Sequence, residues 1–428
     1  MAASPAPALS RLRLLAHSLT SVIDQAWLSA LNLLLGLVLI RWATKDDYGL
    51  YAQLYVAGLF AVSMTESVLI NPLTTLAPRL SAAQRERFIV ELATVQRYGA
   101  WGLGLVFGGG AYVILRWQDI AAAAPVALAF GGYVTTTAWR EFQRGLGFVR
   151  GQPGQVLRTD LIFGGLVLAG VATLVLAAHT SLPAVLLVLT VANLVAWWLS
   201  PAIARLPARA RARRAALARI WRRGRLGLPG ALSSWLANYS YLYLAAAWLG
   251  VAAAADLNAA RLLLMPISLL VVAWSRVARP QLSHHLHHHQ RSELTHLLVV
   301  SCVALTTLAG LYLGILWWAL PWLQHTILGP DYATVQGLVL PWGLYFVLYT
   351  LHLVGAATML SADRYPQLLT AAVSSLVVLA LALVVLLPSW GTVGAIYALA
   401  LVEVYNLVLL LVWFLPGLWR PARPGPSS

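Results

Sequence analysis

The sequence predicts an all-α, polytopic membrane protein of about twelve transmembrane helices in two groups of six. Three observations predict it. Of the 428 residues, 60% are hydrophobic and 10% are charged, where a soluble globular chain carries roughly 25% charged residues, and mean hydropathy is +0.76. Apolar runs recur along the whole chain at a length close to the roughly 20 residues that a helix needs to cross hydrocarbon. Arginine and lysine collect in alternate gaps between those runs, which is how a polytopic chain fixes its orientation.

The first helix follows Arg11 and Arg13 and runs over about 17–41. Its start resembles a signal sequence, but no small-x-small cleavage site interrupts it, so it is read as a membrane helix. Further spans are expected near 50–77, 95–115, 122–143, 159–178 and 184–203, and again near 228–250, 253–275, 296–320, 334–360, 366–387 and 392–415. The breaks His179-Thr180-Ser181-Leu182-Pro183 and Pro388-Ser389-Trp390-Gly391 carry turn chemistry and predict tight hairpins. Continuous apolar runs of this length exclude barrel strands, which alternate over about ten residues. The expected organisation is an N-terminal six-helix bundle (1–204), a basic linker (205–227) and a C-terminal six-helix bundle (228–428). Pro78-Arg79-Leu80-Ser81 after the second span and Pro280-Gln281-Leu282-Ser283 after the eighth are a weak internal echo of two related halves.

The net charge of +15 invites a nucleic-acid reading. The basic residues lie in gaps and not on an amphipathic face, so they are read as topology. One side collects Arg11, Arg13, Arg79, Arg85, Arg87, Arg144, Arg150, Arg158, the run from Arg205 to Arg225, Arg276, Arg279, Arg291, Arg364, Arg420 and Arg423, and the other only Arg41, Lys45 and Arg116. That asymmetry places both termini in the cytoplasm. The linker holds nine arginines and no acid between Arg205 and Arg225, a composition suited to anionic inner-leaflet lipid. Cys302 is the only cysteine, so neither a disulfide framework nor a thiolate metal site is expected. The run His284-His285-Leu286-His287-His288-His289 is read as a solvated cytoplasmic loop, since no cysteine or fixed outer shell accompanies it.

Candidate functional residues are the polar ones inside spans, where a charge costs about 2.5 to 3.5 kcal/mol. In the first helix Ser21, Asp24, Gln25, Ser29, Asn32 and Gly36 fall within about 140° of one another. Ser63, Glu66, Ser67, Asn71 and Thr74 repeat nearly the same offsets in the second. Arg97, Arg140 beside Glu141, Arg261, and Glu403 with Asn406 complete the set. Such groups are expected to face the bundle interior or a wet cavity. Tyr239, Tyr241 and Tyr243 alternate in one helix, a spacing that spreads their rings. No phosphate-binding loop, nucleophile elbow or zinc motif occurs, and no cofactor is expected.

Three segments carry a family resemblance. Arg41-Trp42-Ala43-Thr44-Lys45-Asp46-Asp47-Tyr48-Gly49-Leu50-Tyr51-Ala52 resembles the segment after the first helix of bacterial polysaccharide transporters. These are the O-antigen and exopolysaccharide (Wzx-type) flippases of the multidrug/oligosaccharidyl-lipid/polysaccharide (MOP) superfamily. Ile327-Leu328-Gly329-Pro330-Asp331-Tyr332 and Trp390-Gly391-Thr392-Val393-Gly394-Ala395 are similar to two later turns of that family. The resemblance implies two six-helix bundles around a central cavity that moves a polyprenyl-pyrophosphate-linked oligosaccharide across the inner membrane, with polymerase and glycosyltransferases as partners. It implies cavity residues among Arg261, Arg140, Arg97, Asn32, Asn71 and Asn258, and ion coupling at Asp24, Glu66 or Glu403. The rival transport reading is a multidrug antiporter. A membrane enzyme acting on lipid-linked glycan is the rival of another class, and it would need a long extracytoplasmic loop where only short ones are expected.

Overall fold

The computed structural model describes residues 7–200, 221–222, 224–225, 227–288 and 290–414. Most of the basic linker, with its expected lipid contact, lies outside the described residues, as do His289, Arg420 and Arg423. The chain divides into two compact units, Met1–Leu232 and Ser233–Ser428.

Among the described residues, unit 1 contains six long helices: α1 (Pro7–Trp42), α2 (Lys45–Thr65), α3 (Ala82–Trp117), α4 (Ala123–Val149), α5 (Pro153–Leu176) and α6 (Leu182–Trp198). Turn chemistry sets the breaks. Thr44 caps α2 by accepting from the Asp47 amide at 3.1 Å, and Ser81 with Gln84 forms a capping box at the start of α3. After Thr65 the second span continues through a π turn, Glu66–Ile70, into a short helix Asn71–Leu76 and a 3₁₀ turn Ala77–Arg79. The predicted hairpin at 179–183 is the loop between α5 and α6.

The centre of unit 1 is α4, which packs on α3, α6, α2 and α5. Close approach to α3 depends on glycine. A Cβ on Gly131 would sit 2.9 Å from the Gly104 carbonyl, and one on Gly108 would sit 3.0 Å from the Ala127 carbonyl. Gly104 and Gly108 are four apart, the small-residue spacing that lets membrane helices touch backbone to backbone.

Unit 2 contains α7 (Leu228–Leu249, which begins in unit 1), α8 (Val251–His287), α9 (Arg291–Leu323) and α10 (Val335–Ser361). The segment Tyr365–Leu409 is two helices, α11 and α12, that meet at Gly391 (φ 58°, ψ −139°). They form an antiparallel hairpin: the Ser375 hydroxyl donates to Asn406 Oδ1 at 2.6 Å, and Gly394 lies directly on the Leu386 carbonyl. The turn predicted at 388–391 is therefore where the chain reverses.

Eight described stretches are long and apolar enough to cross a membrane. One of them, Pro366–Val412, holds the α11–α12 hairpin. At 17 residues α6 is shorter, and α4 and α7 carry polar residues that build the sites below. The protein is an all-helical polytopic membrane protein. Two expectations fail locally. Pro280 does not end the eighth helix, which runs through Pro266 and Pro280 to His287. The residues His284, His285 and His287 therefore lie on its last turn and not in a loop. Pro280 removes one backbone hydrogen bond inside the helix, and burial of Ala278 and Leu282 in an apolar cluster holds the turns around it in place.

Candidate functional site

Unit 1 buries a network of charges around α4. Arg140, Glu141 and Arg144 fall within one turn of that helix, and the neighbouring helices supply their partners. Arg140 Nη1 donates to Asp160 Oδ1 of α5 at 2.5 Å, its Nε to Asn193 Oδ1 of α6 at 2.7 Å and its Nη2 to Glu141 at 2.9 Å. From Arg144, Nε donates to Asp160 Oδ2 at 2.6 Å, Nη1 to Glu141 at 2.7 Å and Nη2 to Asp24 Oδ2 of α1 at 2.8 Å. Asn193 in turn donates to Thr137 at 3.1 Å, and the Arg140 guanidinium lies 3.9 Å above the Phe163 ring. Asp160 is 0% exposed and Asp24 1%, so both carboxylates depend on these cations for the stabilisation that water would otherwise give. Three carboxylates face two guanidinium groups, and Asp24 Oδ1 is buried with no hydrogen-bond partner among the described residues.

Unit 2 places a cation differently. Arg261 of α8 donates through Nη1 to the Asn238 carbonyl at 3.0 Å and to the Tyr241 hydroxyl at 3.1 Å, both on α7. Its guanidinium carbon lies 4.9 Å from the Tyr239 ring centre and 5.7 Å from those of Tyr241 and Trp342. Among the described residues no carboxylate forms an ion pair with it, and Nε and Nη2 make no hydrogen bond. The charge is held by π faces and two neutral oxygens. Trp342, Tyr345, Tyr349 and His352 recur at spacings of three and four along one face of α10. Tyr241 meets Trp342 edge-on at 5.6 Å, and Tyr345 stacks on Tyr349 at 5.7 Å. At the far end of the stripe His352 Nδ1 lies 2.6 Å from Glu403 Oε2 of α12.

The residues singled out from sequence fall in different places. Asp24 and Arg140 join the unit 1 network. Gln25 is exposed while Asp24 is buried, so the polar stripe of α1 does not face one environment. Glu66 is exposed at the first position of the π turn, within electrostatic range of Glu141 and Arg144. Asn71 is exposed at the other end of that turn, and its carbonyl accepts from Thr74 and Thr75. Asn32 is half-buried on α1, and Asn258 is half-buried one turn before Arg261. Arg97 is exposed at the rim of a separate cavity. Tyr243 meets the Trp235 ring at 5.3 Å with the planes tilted by 48°. Among the described residues no cluster of His, Cys, Asp or Glu could hold a metal ion.

The sequence pattern does not single out Asp160, Asn193 or His352, and it places Arg144 in a gap between spans. A signal existed for the first. The turn at 150–152 folds α5 back along α4, which sets Asp160 opposite both Arg140 and Arg144. His352 was legible as the next member of the α10 aromatic stripe. Asn193 gives no such signal, since a lone asparagine in an apolar helix has no pattern to join.

No family model matches this sequence, and no curated protein sequence matches it. Solved structures do. The lipid II flippase MurJ in an inward closed conformation aligns with TM-score 0.73 and 10% identity over 93% of this chain and 87% of that one. An inward-facing multidrug resistance MATE family transporter of the MOP superfamily aligns with TM-score 0.70 and 10% identity over 94% of each chain. A MOP superfamily transporter from Pyrococcus furiosus, described by a reversed polarity of its binding pocket, aligns with TM-score 0.62 and 10% identity over 95% of each. At such identity the likeness is one of fold, and the chain has the fold of MOP superfamily transporters.

Proposed function

We propose that this protein is a flippase that moves a polyprenyl-pyrophosphate-linked oligosaccharide across the bacterial inner membrane by alternating access, for surface or exopolysaccharide biosynthesis. The observation that carries this reading is Arg261. A guanidinium inside an apolar bundle normally recruits a carboxylate, because desolvating an unpaired charge costs several kcal/mol. Here the partners are an amide carbonyl, a phenol and three aromatic faces, and three of the five N–H donors remain open to a ligand. A planar fork of that kind matches phosphate oxygens, and the surrounding tyrosine and tryptophan rings suit the apolar faces of sugars. Arg140 offers no comparable fork, since each of its nitrogens already donates to a protein oxygen.

Coupling to an ion is assigned, within the same proposal, to three carboxylates that can exchange a charge, Glu403 and Asp24 buried and Glu66 exposed. Glu403 is one, through its bond to His352. Asp24 is another, through its unpartnered oxygen, and Glu66 is the third, at the π turn. The orientation with both termini in the cytoplasm, the contact of the basic linker with anionic lipid and the partnership with polymerase and glycosyltransferases belong to this reading.

The test is translocation of lipid-linked oligosaccharide in proteoliposomes. Arg261→Ala is expected to lower the rate about 10- to 100-fold, the worth of charge-assisted hydrogen bonds of about 1.5 to 3 kcal/mol, and Arg261→Lys to restore only part of it. An unchanged rate in Arg261→Ala overturns the assignment. The multidrug-antiporter reading draws on the pairing of Glu403 with an aromatic stripe, which suits an organic cation. Under that reading Arg261→Ala raises the uptake of an organic cation, and Glu403→Gln abolishes it.

A further inference from the structure

Unit 1 contains a cavity of about 130 Å³ apart from both sites, lined by Arg97, Trp139, Phe142, Gln143, Leu146 and Trp197 among others. It occupies the gap between α3 and α6, which each contact α4 but make little contact with one another. Its wall is aromatic: Trp139 stacks on Trp197 at 5.0 Å, and Trp101 meets Trp139 edge-on at 5.4 Å.

Two lining residues carry buried hydrogen-bonding atoms with no partner among the described residues, the donor Trp139 Nε1 and the acceptor Gln143 Oε1. Gln143 is 5% exposed, and its amide nitrogen already donates to the Trp197 carbonyl at 3.3 Å. Leaving such atoms unsatisfied costs roughly what a hydrogen bond is worth, so the pair points to a ligand that both accepts and donates. Arg97 stands exposed at the rim.

Depth narrows the chemistry further. Gln143 and Trp197 lie near the ends of α4 and α6, and Arg97 marks where the polar first turns of α3 give way to its apolar run. Tryptophans and a basic residue at one level mark the zone of lipid headgroups. Trp101, Leu105, Leu194 and Trp198 leave exposed apolar surface on the two flanking helices, where acyl chains can lie.

We propose that this cavity holds the headgroup of an anionic phospholipid bearing free hydroxyls, of the phosphatidylglycerol type, from the leaflet on the arginine-rich side. Its phosphate accepts from Arg97 and from the Trp139 indole N–H, and a glycerol hydroxyl donates to Gln143 Oε1. A choline headgroup has no proton to donate and brings a cation toward Arg97.

The purified full-length chain in mild detergent, titrated with short-chain lipids and read by native mass spectrometry, tests this. Phosphatidylglycerol is expected to bind about tenfold more tightly than phosphatidylcholine. Gln143→Leu keeps the charge and is expected to reduce phosphatidylglycerol binding about fivefold, the worth of one hydrogen bond, to the level of phosphatidic acid. Arg97→Ala is expected to bring both anionic lipids down to phosphatidylcholine. Should either variant fail to fold, Trp139→Phe removes the N–H while keeping an aromatic ring in the wall, and is expected to cost about fivefold or more. Equal binding of phosphatidylglycerol and phosphatidylcholine to the native chain overturns the proposal. So does unchanged phosphatidylglycerol binding in the variants, or retention of free glycerol phosphate as tightly as the lipid.

Discussion

At Asp160 one carboxylate serves two guanidinium groups while fully out of water. Removing one member of a buried ion pair leaves the remaining charge without compensation, at a cost of about 3 to 5 kcal/mol. Asp160→Ala is therefore expected to lower the thermal unfolding temperature of the purified protein far more than Asp24→Ala, because Asp24 engages only one arginine through one oxygen. Equal destabilisation by the two changes would show that the two arginines do not depend on Asp160 in the way the geometry implies. In unit 2 the His352 Nδ1–Glu403 Oε2 contact, at 2.6 Å, joins α10 to α12. Glu403→Gln removes the charge with little change of shape, and transport by that variant is expected to lose its response to an imposed ion gradient. A response of native size would move coupling to Asp24 or Glu66.

Individual elements depend on residues with no side chain at all. The contact of α3 with α4 admits no Cβ at Gly104 without displacing Thr135 and the Gly131 carbonyl, so Gly104→Leu is expected to prevent stable folding, whereas Gly102→Leu, facing open space, is expected to be tolerated. Yield and monodispersity in detergent separate the two. Gly391 holds a backbone conformation that other residues enter at a cost of about 1 to 3 kcal/mol, and Gly391→Ala should destabilise the α11–α12 hairpin by that order. Elements of this kind were legible in the sequence, because long apolar runs and proline–glycine turns act locally. The 388–391 and 179–183 turns were readable for that reason. The end of α8 was not, since Pro280 and the histidines after it carry loop chemistry that packing of Ala278 and Leu282 overrides. The segments that carry the family resemblance turn out to build turns and core. Thr44 to Asp47 caps α2, Tyr48 and Tyr51 are buried, and Gly329 to Tyr332 shapes the turn before α10 with Gly329 at φ 74°.

Across the whole molecule the two units treat charge in opposite ways. Unit 1 surrounds Arg140 and Arg144 with three carboxylates, and unit 2 holds Arg261 among aromatic rings, with no carboxylate paired to it among the described residues. Sequence reasoning found most charged members of both sites, because hydrocarbon makes any intramembrane charge conspicuous. It did not separate a satisfied cation from an unsatisfied one, since that distinction depends on which helices are neighbours. Asp160, contributed by the helix folded back on α4, decides it for Arg140, and the tyrosines and tryptophan of α7 and α10 decide it for Arg261. The proposed function reserves Arg261 for an anionic cargo. Its most direct test is the affinity of the purified protein for a short-chain prenyl-diphosphate oligosaccharide against an uncharged analogue with the same sugars. The diphosphate is predicted to bind at least about tenfold more tightly, with the preference lost in Arg261→Ala. Equal affinity for the two ligands, or a preference that survives Arg261→Ala, would contradict the account.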